Sequence, residues 1–437
     1  MLWLNRVLLA IVGLLLVISI TANVQAASAR VNVLTIKGTI NPVLIDYVKR
    51  GIDKAEDDGA AAVIIQMDTP GGLDMAMRDI IQSINNAHVP VVVYVGPSGA
   101  RAASAGLYIT MSAHIAAMAP NTVTGAATPV SLGGEEMSNE MKAKIINDAS
   151  AYIRSIAELR GRNVEWAERA VREGVSATEQ EALELNVIDL IATDLDDLVD
   201  HIDGMQVTLI DNRTVTLQTK DATISHTSMK FIEGFLYAIA DPNIAYLLLS
   251  LAMLGIMVEV FNPGLIFPGV VGAISVLLAF YSLGVLPVNY AGILLIVLAF
   301  GLFVAEILTT TFGLFTAGGV ISLVAGSLIL FQGAPPLFRI DPWLIATVTL
   351  LITGASAFVI NRAISAHRRQ AKTGREELIG KTALVKLALD PEGTVFFKGE
   401  HWSAISDTSR VEPGEEVIIT KVDGLMLYVT KKVKGGK

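Results

Sequence analysis

Val-Pro-Val-Val-Val-Tyr-Val (89–95) runs directly into Gly96-Pro97-Ser98-Gly99-Ala100-Arg101-Ala102-Ala103-Ser104-Ala105-Gly106, and this junction decides how the first half of the chain is read. A short β-branched run bounded by Gly and Pro predicts a buried strand. The segment that follows ends in very small residues around one hydroxyl, Ser104. Small neighbours let another backbone approach that hydroxyl closely, and a helix beginning there offers unpaired N–H groups and a positive dipole end.

The same pattern repeats on either side. Val31–Ile36 and Ala61–Met67 predict strands with a helix near Pro42–Glu56 between them, and a helix over Asp74–Asn86 leads into 89–95. His114–Met118 predicts a fourth strand, Asn139–Leu159 a long amphipathic helix, 177–185 a short helix and 187–192 a strand. Strands of this length separated by helices imply βαβ units in a parallel α/β sheet. Asp68-Thr69-Pro70-Gly71-Gly72 also follows a strand end, so both glycine-bearing loops should line one cleft at the carboxyl edge of the sheet.

Past residue 240 the composition changes. Hydrophobic residues make up 52% of the 437, charged residues 17%, and mean hydropathy is +0.55, too apolar for an ordinary soluble chain. Apolar runs near 243–260, 264–286, 291–308, 313–331 and 343–361 predict about five membrane spans over 241–362, each near the ~20 residues a spanning helix needs. Leu378–Lys434 alternates short apolar runs with Pro391-Glu392-Gly393, Pro413-Gly414 and Asp423-Gly424 turns, which predicts a small all-β barrel of the OB-fold type within 376–437. Arg6, the apolar run Val7–Ile20 and a Val-x-Ala site before Ala27 read as a signal peptide over 1–26. The α/β domain then occupies 27–205 and a linker 206–240.

Charge fixes an expected topology. Residues 27–230 carry 17 basic and 27 acidic side chains, 231–361 one and five, and 362–437 fourteen and ten. An acidic first half argues against nucleic acid as a partner. The basic cluster Arg362, His367, Arg368, Arg369, Lys372 and Arg375 marks the cytoplasmic end of the last span. The signal peptide exports the α/β domain to the periplasm or outside the cell, and an odd number of spans then puts the barrel in the cytoplasm, in agreement with the charge. With no cysteine in the chain, disulfides and thiolate nucleophiles are excluded. No phosphate loop or histidine cluster calls for a nucleotide or metal, so no cofactor is expected.

A serine nucleophile needs a base. Among the histidines ahead of the membrane region, His114 opens a buried strand, where a packed core residue is the simpler reading. Lys142 and Lys144 lie on the 139–159 helix, and Ile145-Ile146 can desolvate the Lys144 amine and lower its pKa. Taken alone, either lysine also reads as part of a solvated helix face, and Ser104 as a helix cap.

Asp-Thr-Pro-Gly-Gly-Leu (68–73), Gly-Ala-Arg-Ala-Ala-Ser-Ala-Gly-Leu-Tyr-Ile (99–109), His-Ile-Ala-Ala-Met-Ala-Pro (114–120) and Lys-Ile-Ile-Asn-Asp-Ala-Ser-Ala-Tyr-Ile-Arg-Ser-Ile-Ala (144–157), with Gly161-Arg162-Asn163 behind, are similar to the long form of the NfeD (nodulation formation efficiency D) membrane serine proteases. The resemblance extends through Phe-Asn-Pro-Gly (261–264) to the terminal barrel. It implies a protease domain like the Clp peptidase and signal peptide peptidase A, within the crotonase-like fold. It puts the nucleophile on Ser104 and the lysine base on Lys144, with Lys142 as the rival position. The oxyanion hole falls on Gly71 and Gly72 with Ala105 N–H as second donor. Pro70, Leu73, Leu107 and Tyr108 would shape an apolar substrate groove. The implied substrate is an apolar segment of a membrane-associated protein, the implied partner a stomatin/prohibitin-type membrane protein, and the implied assembly a homo-oligomer, a dimer or larger. Two rival functions remain: a non-catalytic membrane scaffold, and an acyl-CoA enzyme, which export from the CoA-containing cytoplasm disfavours.

Overall fold

The computed structural model describes residues 29–130, 138–262, 264–309, 313–332, 338–367, 377–407 and 409–432. The expected signal peptide lies outside them. Contacts divide the chain into two units, Met1–Thr353 and Gly354–Lys437.

The first unit opens with β1 (Arg30–Lys37), α1 (Pro42–Asp57), β2 (Ala62–Asp68), α2 (Asp74–Asn85) and β3 (Val91–Val95). Next come β4 (Arg101–Ala103), α3 (Ala105–Ser112), β5 (Ile115–Met118), β6 (Val123–Gly125), α4 (Asn139–Leu159) and α5 (Val164–Arg172). β7 (Ser176–Thr178), α6 (Glu179–Glu184), β8 (Leu190–Ile191), α7 (Leu195–His201), β9 (Gln206–Thr208), β10 (Thr214–Thr216), β11 (Thr223–His226) and α8 (Phe231–Ile239) complete the domain. The main sheet has the order β11-β1-β2-β3-β5-β8 with every pairing parallel. Its central strands β2, β3 and β5 are buried on both faces, and residue alternation divides them between two cores. Leu34, Ile36, Val63, Ile65, Val91 and Val93 pack under the helices of one face, while Val31, Val33, Ala62, Ile64, Val92 and Tyr94 pack on the other.

Asn41 caps α1 by accepting from Val43 N–H at 3.1 Å, with Pro42 in the first turn. The α4 helix starts on Ser138, whose hydroxyl accepts from Met141 N–H at 3.2 Å. Its first ten residues stand almost wholly exposed, and burial begins at Ala149 and Ser150. Within the stretch expected as a linker, 206–240, β9 pairs antiparallel to β10.

Beyond α8 come α9 (Pro242–Phe261), α10 (Ile266–Val285), α11 (Tyr290–Leu308), α12 (Leu314–Ile329) and α13 (Pro342–His367). The first three, of 20, 20 and 19 residues, are long and apolar enough to cross a membrane; α12 and the apolar part of α13, Pro342–Phe358, are shorter. Small residues bring neighbouring helices into backbone contact: a Cβ on Gly255 of α9 would lie 2.7 Å from Gly272 Cα of α10. Glu306, a buried charge at the end of α11, accepts from Gly313 N–H at 2.8 Å and Thr316 N–H at 3.1 Å, closing the start of α12. Pro268 lies in the first turn of α10, where no intrahelical hydrogen bond is lost.

The second unit takes up the end of α13 and a closed five-stranded barrel of order β12-β13-β14-β16-β15, where β12 is Thr382–Leu387, β13 Glu392–Phe397, β14 Glu400–Ser406, β15 Glu416–Asp423 and β16 Met426–Lys431. Val385, Val395, Ala404, Val417, Ile419, Leu427 and Val429 fill it.

Candidate active site

The carboxyl ends of β1, β2 and β3 bring three loops to one edge of the sheet, and Ser104 lies where they meet. It occupies the turn between β4 and α3 with φ 54° and ψ −116°, a region a non-glycine residue seldom adopts. A serine on a sharp strand-to-helix turn projects its hydroxyl away from both elements. Ser104 N–H donates to Gly125 O at 3.0 Å, which holds the turn, while its side chain caps nothing. Gly125 has φ 130°, and a Cβ there would lie 2.5 Å from Ser176 Cα, so no larger residue fits behind the serine.

The second loop is stitched against the first. Thr69 N–H donates to Arg101 O at 2.7 Å and Ala103 N–H to Thr69 O at 3.1 Å. The buried Thr69 hydroxyl accepts from Gly71 N–H at 3.0 Å and donates to Gly71 O at 3.2 Å. Gly71, with φ 119°, lies so close to the nucleophile turn that a Cβ there would be 2.8 Å from Ser104 Cβ and 3.3 Å from its hydroxyl. On the far side, Ile40 N–H donates to Gly71 O and Leu73 N–H to Ile40 O, both at 2.9 Å. Gly72 sits between those bonds, so its own N–H points to the opposite edge. A Cβ on Gly72 would lie 2.1 Å from Ile40 O, so only glycine fits. Among the described residues, the N–H groups of Gly72 and Ala105 have no acceptor in the protein, whereas that of Gly71 is already engaged.

The nucleophile helix is held at its other end too. Arg160 donates to Ser112 O at 2.8 Å; Arg162 donates to Met111 O at 2.6 Å and Ala113 O at 2.9 Å and pairs with Asp189 at 2.6 Å. Cations at a helix C-terminus answer its unpaired carbonyls and its dipole. Burial, with Arg162 beside it, draws Arg160 down to about 10. His114 packs next to them; burial first, then Arg160 and Arg162, push it down to about 3, so it stays neutral. Its Nδ1 accepts from Val91 N–H at 3.2 Å, in keeping with a core histidine.

Ser104, Gly71, Gly72 and Ala105 are therefore brought together, and Lys144 is not joined to them. Lys144 and Lys142 both lie on the exposed first half of α4, and no hydrogen bond or ion pair links either to the serine among the described residues. Ile145, expected to cover the Lys144 amine, is itself exposed, and Ile146 is half-buried. The expected groove is also narrower. Pro70 and Leu73 reach its surface, but α3 is buried on all sides, so Leu107 lies in the core and the Tyr108 hydroxyl donates to Ala149 O at 3.2 Å. Leu73 packs against the α/β core and also against the apolar core of the membrane helices, so this lip of the site faces the membrane region.

Sequence reasoning missed Thr69, Gly125 and Tyr237. The Tyr237 hydroxyl, on α8, donates to Lys37 O at 2.9 Å and Thr39 O at 3.3 Å and so braces the loop that carries Ile40. Thr69 stood inside a quoted motif; nothing in the sequence ties Tyr237 to a loop 200 residues earlier.

Three family models match in order: the NfeD1b N-terminal domain over 30–227, the NfeD integral membrane domain over 243–362, and the NfeD-like C-terminal, partner-binding domain over 375–431. The membrane-bound protease PH1510 of Pyrococcus horikoshii is 39% identical over 99% of both chains. The chain belongs to the NfeD family. The membrane protein NfeD1b of Bacillus subtilis is 27% identical over 95% of this NfeD chain and 96% of its own length. Among solved structures, a lysine-to-alanine mutant of the 1510-N membrane-bound stomatin-specific protease in complex with a substrate peptide is 38% identical, covering 49% of this chain and 98% of that one at a TM-score of 0.46.

Proposed function

We propose that this NfeD chain is a membrane-anchored serine endopeptidase in which Ser104 attacks a peptide carbonyl and Lys144 takes its proton. The observation that carries the reading is the strained, uncapped Ser104 turn between two N–H groups, Gly72 and Ala105, that the protein leaves unpaired. Two such donors beside a hydroxyl suit the negative oxygen of a tetrahedral intermediate. Gly71 serves by its shape: lacking a side chain, it lets the donor strand lie against the nucleophile. The open edge at Gly72 lets a substrate chain pair as an added strand, with Pro70 and Leu73 offering apolar contact. The 39% identity to a protein named a membrane-bound protease supports the class of reaction.

A lysine acts as base only when its amine is neutral, which requires a covered site. Exposed Met141 and Ile145 flank Lys144 on the free half of α4, and a homo-oligomer, implied by the family resemblance, would supply that cover. The membrane-facing Leu73 supports a substrate that is an apolar segment of a membrane-associated protein. A stomatin/prohibitin-type partner follows from the family resemblance, and the partner-binding description of the C-terminal domain supports it. The expected signal peptide puts the α/β domain on the exported side, and the basic cluster after the last span puts the barrel in the cytoplasm. Among the described residues no hydrogen bond or ion pair joins the serine to either lysine, which favours one rival, a scaffold that binds partners without cleaving them.

The full chain in lipid vesicles, given an apolar peptide, distinguishes the two. Cleavage lost in Ser104→Ala and Lys144→Ala but kept in Lys142→Ala supports the dyad. Equal cleavage by Ser104→Ala and the parent chain removes it and leaves the scaffold.

A further inference from the structure

Helix α8 joins the α/β domain to the first membrane helix, and its amphipathicity is inverted. Phe231 is 88% exposed, Ile232 67% and Phe235 42%; with exposed Ala238 they form one stripe at helical spacing. Its polar residues face the protein instead. Glu233 meets Arg50 in two hydrogen bonds of 2.8 and 2.6 Å, and the Tyr237 hydroxyl reaches Lys37 O and Thr39 O. A helix facing water would show the reverse pattern, so this stripe needs an apolar partner.

The surroundings say which partner. Ile239 ends α8, and α9 enters the membrane region at Pro242, capped by Asp241. The carbonyl of Ile239 accepts a hydrogen bond from Ser282, three residues before α10 ends at Val285. At ~1.5 Å per residue, this fixes the end of α8 roughly 5 Å inside the end of a spanning helix. The apolar stripe is thus continuous with the lipid-facing surface of the helices, and exposed Lys230 stands at its outer end, where an ammonium group can reach headgroups.

We infer that α8 is an in-plane helix that lies in the bilayer interface, inserting Phe231, Ile232 and Phe235 among lipid chains and seating the α/β domain on the membrane surface. This seat is distinct from the spanning helices and does not depend on the catalytic reading.

The chain has no cysteine, so single nitroxide labels report one position each. The full chain is reconstituted in phosphatidylcholine–phosphatidylglycerol vesicles with Phe231→Cys, Ile232→Cys or Phe235→Cys labelled. Lys220→Cys serves as the water reference and Ile274→Cys, on the exposed face of α10, as the lipid reference. All three sites are exposed, so the inner contacts of α8 survive labelling. Oxygen and nickel accessibilities should lie between the two references, at a depth of ~5–10 Å below the headgroups. Values matching Lys220→Cys would overturn the inference, because the stripe would then face water. Immobilised labels shielded from both reagents would also overturn it, because protein would then cover the stripe.

Discussion

The two halves of the proposed dyad are held in opposite ways. Ser104 is gripped from every side: Gly125 behind its N–H, the Thr69–Gly72 strand against its side chain, and two arginines on the far end of its helix. Lys144 stands on the free half of α4, where none of the described residues hydrogen-bonds to its side chain. A nucleophile with two oxyanion donors must be rigid to a fraction of an ångström, and backbone hydrogen bonds between loops achieve this within one chain. A base needs correct placement only once substrate is present, so its turn can be completed by a second body. On the proposed reading, the oxyanion side is permanent and the base side is assembled.

Substitutions can break this contrast. The largest effect should come from Gly72→Val, whose Cβ would fall on Ile40 O; the fold should lose about 2–4 kcal/mol in a denaturant melt and cleavage should vanish. An unchanged melt would mean that the strand is not rigid. Lys144→Ala should lower kcat by about 10²–10⁴-fold while stability stays within about 0.5 kcal/mol, separating chemistry from fold. Should Lys144→Ala destabilise the chain as strongly as Gly72→Val, the description of Lys144 as standing on a free half of α4 would fail.

Acid should loosen the serine side. His114 is held neutral in the fold, down to about 3, against an ordinary value of 6.5. Below 6.5 the unfolded chain binds a proton that the folded chain refuses. Stability is therefore complete above that pH and falls toward pH 3, by at most about 1.4 kcal/mol per pH unit for this group. Comparing melts of the parent and His114→Gln between pH 4 and 7 should show a shallower slope in the variant; parallel slopes would assign the acid loss elsewhere. The smallest effect belongs to Tyr237→Phe, which removes the hydroxyl bracing the Ile40 loop: about 1 kcal/mol of stability, with kcat reduced and KM unchanged. A change in KM alone would place Tyr237 in binding rather than in positioning.

Periodicity made the parallel sheet, the α4 helix over Asn139–Leu159 and the barrel legible from sequence, because each rests on local alternation or on turn residues. The close approach of Gly71 to the Ser104 turn was legible because close backbone approach demands small residues. What escaped depends on contacts between distant segments. Gly125 behind the serine, Tyr237 under the Ile40 loop and the arginine caps on α3 have no local signature. Leu107 and Tyr108 misled for a related reason: they follow the serine in sequence, but α3 is buried on every face and turns them into core. The apolar stripe of α8 lay within a stretch read as linker, since nine residues give too short a period to stand out.

The most direct test is covalent. The full chain in vesicles is treated with a fluorophosphonate, and the modified peptide is identified by mass spectrometry in the parent, Lys144→Ala and Ser104→Ala. The account predicts one adduct, on Ser104, forming more slowly in Lys144→Ala and absent in Ser104→Ala. An adduct on another residue, or none on the parent chain while it cleaves peptide, would contradict the assignment of Ser104 as nucleophile.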